Sequence, residues 1–433
     1  MTFESYTGAL WFLLGATFVV AFIMGAVVRK TDFCTMGGVS DWVNMGDTGR
    51  FRAWLFAIAV ALAGALALEG LGIIDLGSTF PPYRGHSLIW AENVIGGVMF
   101  GVGMTLGSGC ANKNLVRLGG GNLKSLFVVA IMGICAYFMI FPFPGSDQNL
   151  YTLVFLPWVS ALSIDLGAPQ DLGSLVSSAN ALTARLVIGG VFALALLVFV
   201  FRSTDFRERF DNILSGLVIG LAVVVGWYVT ATVAFKNPDP DFFFNGAQAV
   251  SLQQASAQSS WELIKSELPE GTARPIRSAF MGTQSFTFVN PAGQAVGYVG
   301  SGLSKSYLTF GLMAFAGVVL GSFVWSLLTR GLRFEWFASV SDFVRHAIGA
   351  VLMGIGGVLA LGCTIGQGVT GVSTLAVGSI IAFVSIVFGS ALTMKVQYYQ
   401  MVYEGEASFT AALLSSLVDM RLLPKGMRRL EAV

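Results

Sequence analysis

Nine apolar runs of bilayer length follow one another along this chain, over residues 8–28, 53–74, 92–109, 122–141, 182–201, 213–235, 299–328, 345–361 and 374–394. A membrane-spanning helix needs about 20 apolar residues and satisfies every backbone polar group within itself. The runs therefore predict an all-α polytopic membrane protein of about nine transmembrane helices with additional short or re-entrant helices. Only 11% of the 433 residues are charged and 55% are hydrophobic, against roughly 25% charged in a soluble domain. A soluble enzyme is excluded. The opening Met1-Thr2-Phe3-Glu4-Ser5 has no cationic stretch, so the first run reads as a retained span rather than a cleaved signal.

Lys and Arg number 25 against 24 Asp and Glu, a formal charge of +1, so no basic face is expected for nucleic acid. The cations gather in alternate connections: Arg29, Lys30, Arg50 and Arg52; Lys113, Arg117 and Lys124; Arg202, Arg207 and Arg209; Arg330, Arg333 and Arg345; and Lys425, Arg428 and Arg429. By the positive-inside rule the N-terminus lies outside and the C-terminus in the cytoplasm. The polar stretch 236–277 then falls outside as a cap or insertion. The apolar stretch 150–166, interrupted by Pro157, reads as re-entrant or interfacial.

The third and eighth runs are short and glycine-dense, which marks them as candidates for broken helices. Gly96, Gly101, Gly103, Gly109 and Cys110 recur as Gly349, Gly354, Gly356, Gly362 and Cys363, all at one displacement. The same displacement lays Cys34 on Thr287, the second run inside the seventh and the fourth on the ninth. Four spans, one linker span and four more give inverted repeats: residues 1–143 as the first, 144–210 as insertion plus linker, 211–397 as the second with its extracytoplasmic insertion 236–277, and 398–433 as a cytoplasmic tail. Inverted repeats with interrupted helices at equivalent points suit a transporter whose site lies between the halves. The alternative is a duplicated scaffold without a pathway.

The four cysteines, Cys34, Cys110, Cys135 and Cys363, stand singly, and there are two histidines. Neither a dithiol redox enzyme nor a paired-thiol zinc site fits, and no cofactor or metal is expected. Cys34, Cys110 and Cys363 each lie among glycines, in Phe33-Cys34-Thr35-Met36-Gly37-Gly38, Gly107-Ser108-Gly109-Cys110 and Gly362-Cys363-Thr364-Ile365-Gly366-Gln367-Gly368. Glycine lets the backbone leave the helix, and a helix restarting after the break aims its N–H groups at an anion. A neutral thiol, a weak and polarizable donor, would hold a soft sulfur anion briefly. Cys135, at mid-span without a break, reads as a buried hydrophobe.

Asn112, Lys113 and Asn114 either draw the anion on the cytoplasmic side or are ordinary positive-inside polar residues, and Thr364 and Gln367 are their neutral counterparts outside. Arg277 and Ser278 precede a re-entrant stretch at 280–289 and either form an entry funnel or, the preferred reading, Arg277 is an interfacial snorkelling side chain. Glu69 reads as a headgroup-level carboxylate, and His86 and His346 as interfacial. Gly119-Gly120-Gly121 lacks a following Gly-Lys-Ser/Thr, so ATP-driven transport by this chain alone is rejected.

At these same motifs, together with Phe286-Thr287-Phe288-Val289-Asn290-Pro291, the chain resembles the YeeE/YedE family of sulfur-transport membrane proteins over most of its spans. The resemblance implies an inner-membrane permease of two pseudo-symmetric halves importing thiosulfate, or a closely related sulfur anion, past Cys110 and Cys363, with Cys34 as a third thiol. It also implies a separate cytoplasmic sulfur-carrier protein with a Cys-Pro-x-Pro motif, which is absent here, besides the lipid that surrounds the spans. Residues 142–181 and 236–273 look like insertions relative to a compact member. The competing class is a membrane thiol enzyme or sulfurtransferase forming a persulfide on a cysteine.

Overall fold

A computed structural model describes residues 1–237, 247–256, 272, 274–276, 282–403 and 407–431. Arg277, Ser278 and most of the 236–277 insertion lie outside the described residues, as does the start of the 280–289 stretch. Among the described residues nine helical stretches are long and apolar enough to cross a bilayer, and the protein is a polytopic helical membrane protein.

Residues 1–143 contain α1 (Tyr6–Thr31), α2 (Thr35–Ser40), α3 (Gly49–Gly70), α4 (Trp90–Leu106), α5 (Ala111–Gly119) and α6 (Leu123–Ile140). Then come α7 (Ala181–Phe201), α8 (Phe210–Thr232), α9 (Val289–Gly300), α10 (Phe310–Leu328), α11 (Val340–Leu359), a π-helical segment Thr364–Gly371, α12 (Val377–Val402) and α13 (Phe409–Asp419). Several starts are fixed by side-chain caps on the first free N–H groups: Ser5 accepts from Gly8, Asn122 from Ser125, Thr309 from Leu312 and Ser339 from Asp342.

One expected boundary is wrong. The seventh span does not start near residue 299, because α9 ends at Gly300 and the chain turns through Gly302 and Leu303, both at positive φ, before Thr309 caps α10. The apolar continuity of the sequence there joins the end of one short helix to the start of a spanning one. The 150–166 stretch forms short helical turns over Tyr151–Leu162, after which Ile164–Asp165 pairs antiparallel with Ser87–Leu88.

Helices approach through glycine, where backbone rather than side chain makes the contact. A Cβ on Gly321 would sit 1.9 Å from the Phe22 carbonyl, closing α1 on α10, and one on Gly101 would sit 2.2 Å from the Ile386 carbonyl, closing α4 on α12. At the centre α4 crosses α11 with Gly96 against Gly356 and Gly103 against Gly349. As one partner advances the other retreats, so the pair is antiparallel. The displacement carrying Cys110 to Cys363 exchanges these two contacts. It likewise relates the packing of α6 on α11 to that of α12 on α4.

Glu69, in the last turn of α3, is shielded by the protein itself. It is 6% exposed and takes a bidentate pair from fully buried Arg84, at 2.6 and 2.9 Å, plus a third bond from Arg185 at 3.0 Å. Arg185 also holds Asp171, and Arg84 reaches the Thr374 carbonyl. Four charges are thus satisfied inside the protein, tying residues 166–172 of the first insertion to α3, α7 and the turn before α12. Burial alone would raise the Asp171 carboxyl, but bonds from Arg185 and Ser174 outweigh it and hold it below the usual range.

Candidate functional site

Two breaks at the ends of α4 and α11 have the same backbone. At the first, Gly107 N–H bonds to Gly103 O, Ser108 to Thr105 O and Gly109 to Met104 O; at the second, Ala360 bonds to Gly356 O, Leu361 to Val358 O and Gly362 to Gly357 O. Ser108 and Leu361 both take the left-handed conformation, φ 56° and 58°. This is a left-handed helix stop with its six-to-one bond, in each case set by a non-glycine residue at a cost of about 1–2 kcal/mol. The Asn114 amide nitrogen bonds back to Gly109 O at 2.8 Å and reaches Gly107 O at 3.4 Å, while the Gln367 amide bonds back to Ala360 O. Asn114 therefore spends its donors on the break, not on a ligand.

Each break ends in a cysteine that opens the next helix. Cys110 and Cys363, both extended, are the N-cap residues of α5 and of Thr364–Gly371, and Cys34 stands likewise before α2. Upstream of Cys34, Asp32 closes α1 in a left-handed turn and Phe33 stacks on Trp54 with ring centres 4.7 Å apart. The Cys363 sulfur accepts from Gly366 N–H at 3.4 Å.

The three thiols and two of the threonines fall into two groups. The Cys34 and Cys110 thiols are in side-chain contact, and Thr364 lies beside Cys110. Thr287, the counterpart of Cys34, has its hydroxyl 4.0 Å from the Cys363 sulfur. Cys363 and Thr364, adjacent in the chain, join the two groups, and we refer to these five residues as the row. Cys34, Cys110 and Cys363 are 4%, 2% and 0% exposed. Cys135 lies apart, half-buried on α6 against Gly354.

Two cavities flank this row at opposite ends of the α4–α11 pair. One, of about 510 Å³, is lined by the first break at Gly107 and Ser108, by Lys113 and Arg117, and by Asp342 and His346 at the start of α11. The other, of about 400 Å³, is lined by Leu361 and Gln367 at the second break, by Glu92 and Asn93 at the start of α4, and by Tyr83, Ser379 and the insertion residues Tyr151 and Gln170. Tyr83 donates to the Gly366 carbonyl at 2.9 Å. Its burial, with Cys363 nearby, pushes this hydroxyl well above its ordinary range, so it stays a neutral donor.

Lys113 points to the first cavity, not to the thiols. Its side chain is 5% exposed and its ammonium bonds to Asp32, whose carboxylate is 67% exposed. Arg50 reaches the same Asp32 at 3.2 Å while gripping Asp41 at 2.5 and 2.7 Å. Local sequence patterns do not show this pairing across the fold. His346 is held at 2.8 Å by the Asp342 carbonyl and lies 3.2 Å from the Ser108 hydroxyl.

Several buried polar atoms around the row have no hydrogen-bond partner: the hydroxyls of Thr35, Thr364 and Ser379, and the amide oxygens of Asn112 and Gln367. An orphaned buried polar atom is rare in a folded protein and calls for an explanation such as a ligand or water. Ser379 and Gln367 line the second cavity, while Thr35 and Thr364 stand next to Cys34 and Cys363 in the chain and Asn112 stands two residues after Cys110. Hydroxyl and thiol donors, three helix N-termini and no fixed counter-anion at the row suit brief contact with a small anion.

Two curated relatives carry the name thiosulfate transporter TsuA. The chain is 23% identical to the protein of Escherichia coli (strain K12) over 350 residues, 80% of this chain and 84% of that one. It is also 23% identical to the protein of Spirochaeta thermophila over 381 residues, 86% of this chain and 95% of that one. The family model described as sulphur transport matches residues 30–392, and with that span covering most of the chain, both breaks and all four cysteines, the chain belongs to the sulphur transport family.

Proposed function

We propose that this protein is a bacterial inner-membrane permease that imports thiosulfate through the row Cys34, Cys110, Thr364, Cys363 and Thr287. Family membership and the relatives' names make it a sulfur-anion transporter rather than an enzyme. The observation that carries the finer reading is that three buried cysteines each open a helix, Cys34 against Cys110 and Cys363 one residue from Thr364, which lies beside Cys110. The exchanged glycine contacts and the twin breaks support two halves related as inverted repeats. In that arrangement the cavity beside Gln367 faces outside and the cavity beside Lys113 faces the cytoplasm.

The anion enters beside Gln367 and Ser379, passes from thiol to thiol on weak S–H bonds, and leaves by competing with Asp32 for Lys113. Entry of a dianion against 100 mV, inside negative, opposes transport by about 4.6 kcal/mol, so intracellular consumption of the sulfur must keep the gradient steep. A separate cytoplasmic sulfur carrier would serve that end.

Proteoliposomes holding only this protein test the reading. Labelled thiosulfate should accumulate intact inside, and sulfate should compete poorly. Sulfite release with a persulfide on Cys110 would instead identify a sulfurtransferase.

A further inference from the structure

Four acidic side chains are buried among the described residues: Asp41, Glu69, Glu92 and Asp171. Three are held by guanidinium groups, Asp41 by Arg50, Glu69 by Arg84 and Arg185, and Asp171 by Arg185. Glu92 is the exception. It is 4% exposed, and its one polar partner is the Tyr151 hydroxyl, which donates to Oε1 at 2.5 Å.

Glu92 lies in the first turn of α4 on the wall of the 400 Å³ cavity. The other titratable groups facing that cavity are His86, Tyr83 and Tyr151. Helices packed against α4 add no charge there: α11 ends nearby in Leu359 and Ala360, and α12 begins with Gly378 beside Asn93. Arg84, the nearest guanidinium along the chain, is turned away onto Glu69 and the Thr374 carbonyl. An ionised carboxylate without a cation in such a site is costly, and it would repel an anion on its way to Cys363.

We infer that Glu92 is a proton-operated charge filter at the entrance, admitting sulfur anions when protonated and repelling them when ionised. This rests on the proposed reading of that cavity as the anion's entrance. Protonated, the carboxyl offers the anion an O–H donor beside Gln367 and Ser379. Ionised, it places a like charge in a low-dielectric vestibule. By linkage, an anion in the cavity and a proton on Glu92 favour each other. No proton needs to cross the membrane, since it binds and leaves from the same side as the anion enters.

The test uses the full chain in proteoliposomes with labelled thiosulfate at a fixed gradient, the pH on the Glu92 side being varied over about pH 5–9, where buried carboxyls titrate. Wild-type uptake should fall by up to about tenfold per pH unit once Glu92 ionises. Glu92→Gln should give a flat profile at the wild type's low-pH rate, and Tyr151→Phe should move the midpoint without removing the pH dependence. A flat wild-type profile, or a Glu92→Gln profile that still declines, overturns the filter. So does dependence on the opposite side's pH alone.

An infrared titration without substrate separates this inference from the transport reading. A protonated-carboxyl band present in the wild type near neutral pH and missing from Glu92→Gln supports the proton site even if thiosulfate is not carried. Its absence sinks the filter while leaving transport untouched. The same spectra report helix content, so a misfolded variant is recognised.

Discussion

At the scale of single residues, the thiols and the buried charges make different demands. Cys110→Ser and Cys363→Ser keep a hydrogen-bond donor at each N-cap but make it harder and better hydrated. Each should lower thiosulfate uptake by about tenfold or more, the equivalent of about 1.4 kcal/mol in the barrier, while Cys135→Ala, away from the row, should stay within about twofold. Uptake unchanged in Cys110→Ser would remove the argument from sulfur softness. Arg84→Met leaves Glu69 buried with one partner fewer, and a loss of about 3–5 kcal/mol is expected for breaking such a pair, to be read as a drop in unfolding midpoint in detergent. Asp171 has a depressed folded pKa, so its contribution is complete above the unfolded value and is lost as pH falls through the folded one. Thermal stability should therefore decline below about pH 4, and less so in Asp171→Asn.

At the scale of elements, the sequence was informative where local chemistry decides structure and silent where distant groups meet. The apolar runs gave the spanning helices, and the Gly-Cys motifs marked both breaks, because helix length and glycine freedom are local properties. The start of the seventh span was missed because apolar residues continue through the turn at Gly302 and Leu303. Asp32 escaped notice because its partner Lys113 lies far along the chain, and the pairing of Glu69 was not legible because nothing near it announces Arg84 and Arg185 together. The displacement that pairs the cysteines also pairs Asn114 with Gln367 and, unremarked in the sequence, Ser108 with Leu361, and the structure has both pairs in matching geometry. The glycine seams give a prediction at this scale. Gly103→Val would place side-chain atoms against the Gly349 carbonyl, 2.7 Å from the ideal Cβ. It should cost about 1–3 kcal/mol or more through overpacking, measured by unfolding in detergent, whereas Gly190→Val, with nothing within 4 Å, should be nearly silent.

At the scale of the whole molecule, orientation is the testable property. A fluorescent protein that matures only in the cytoplasm, fused after residue 431, should fluoresce, and a periplasm-dependent phosphatase fused at the same place should be inactive. The reverse result would exchange the roles of the two cavities, making the one beside Lys113 the entrance. The backbone-on-backbone crossing of α4 and α11 bears on how such a body moves. With glycine facing glycine at Gly96–Gly356 and Gly103–Gly349, the seam closes on backbone and on the Cβ atoms of Met99, Leu352 and Leu359, whose positions no rotamer change alters. It behaves as a keel: alternate opening of the two mouths belongs to the half-helices and loops hung on either side, while the line between the twin breaks keeps its length throughout the cycle.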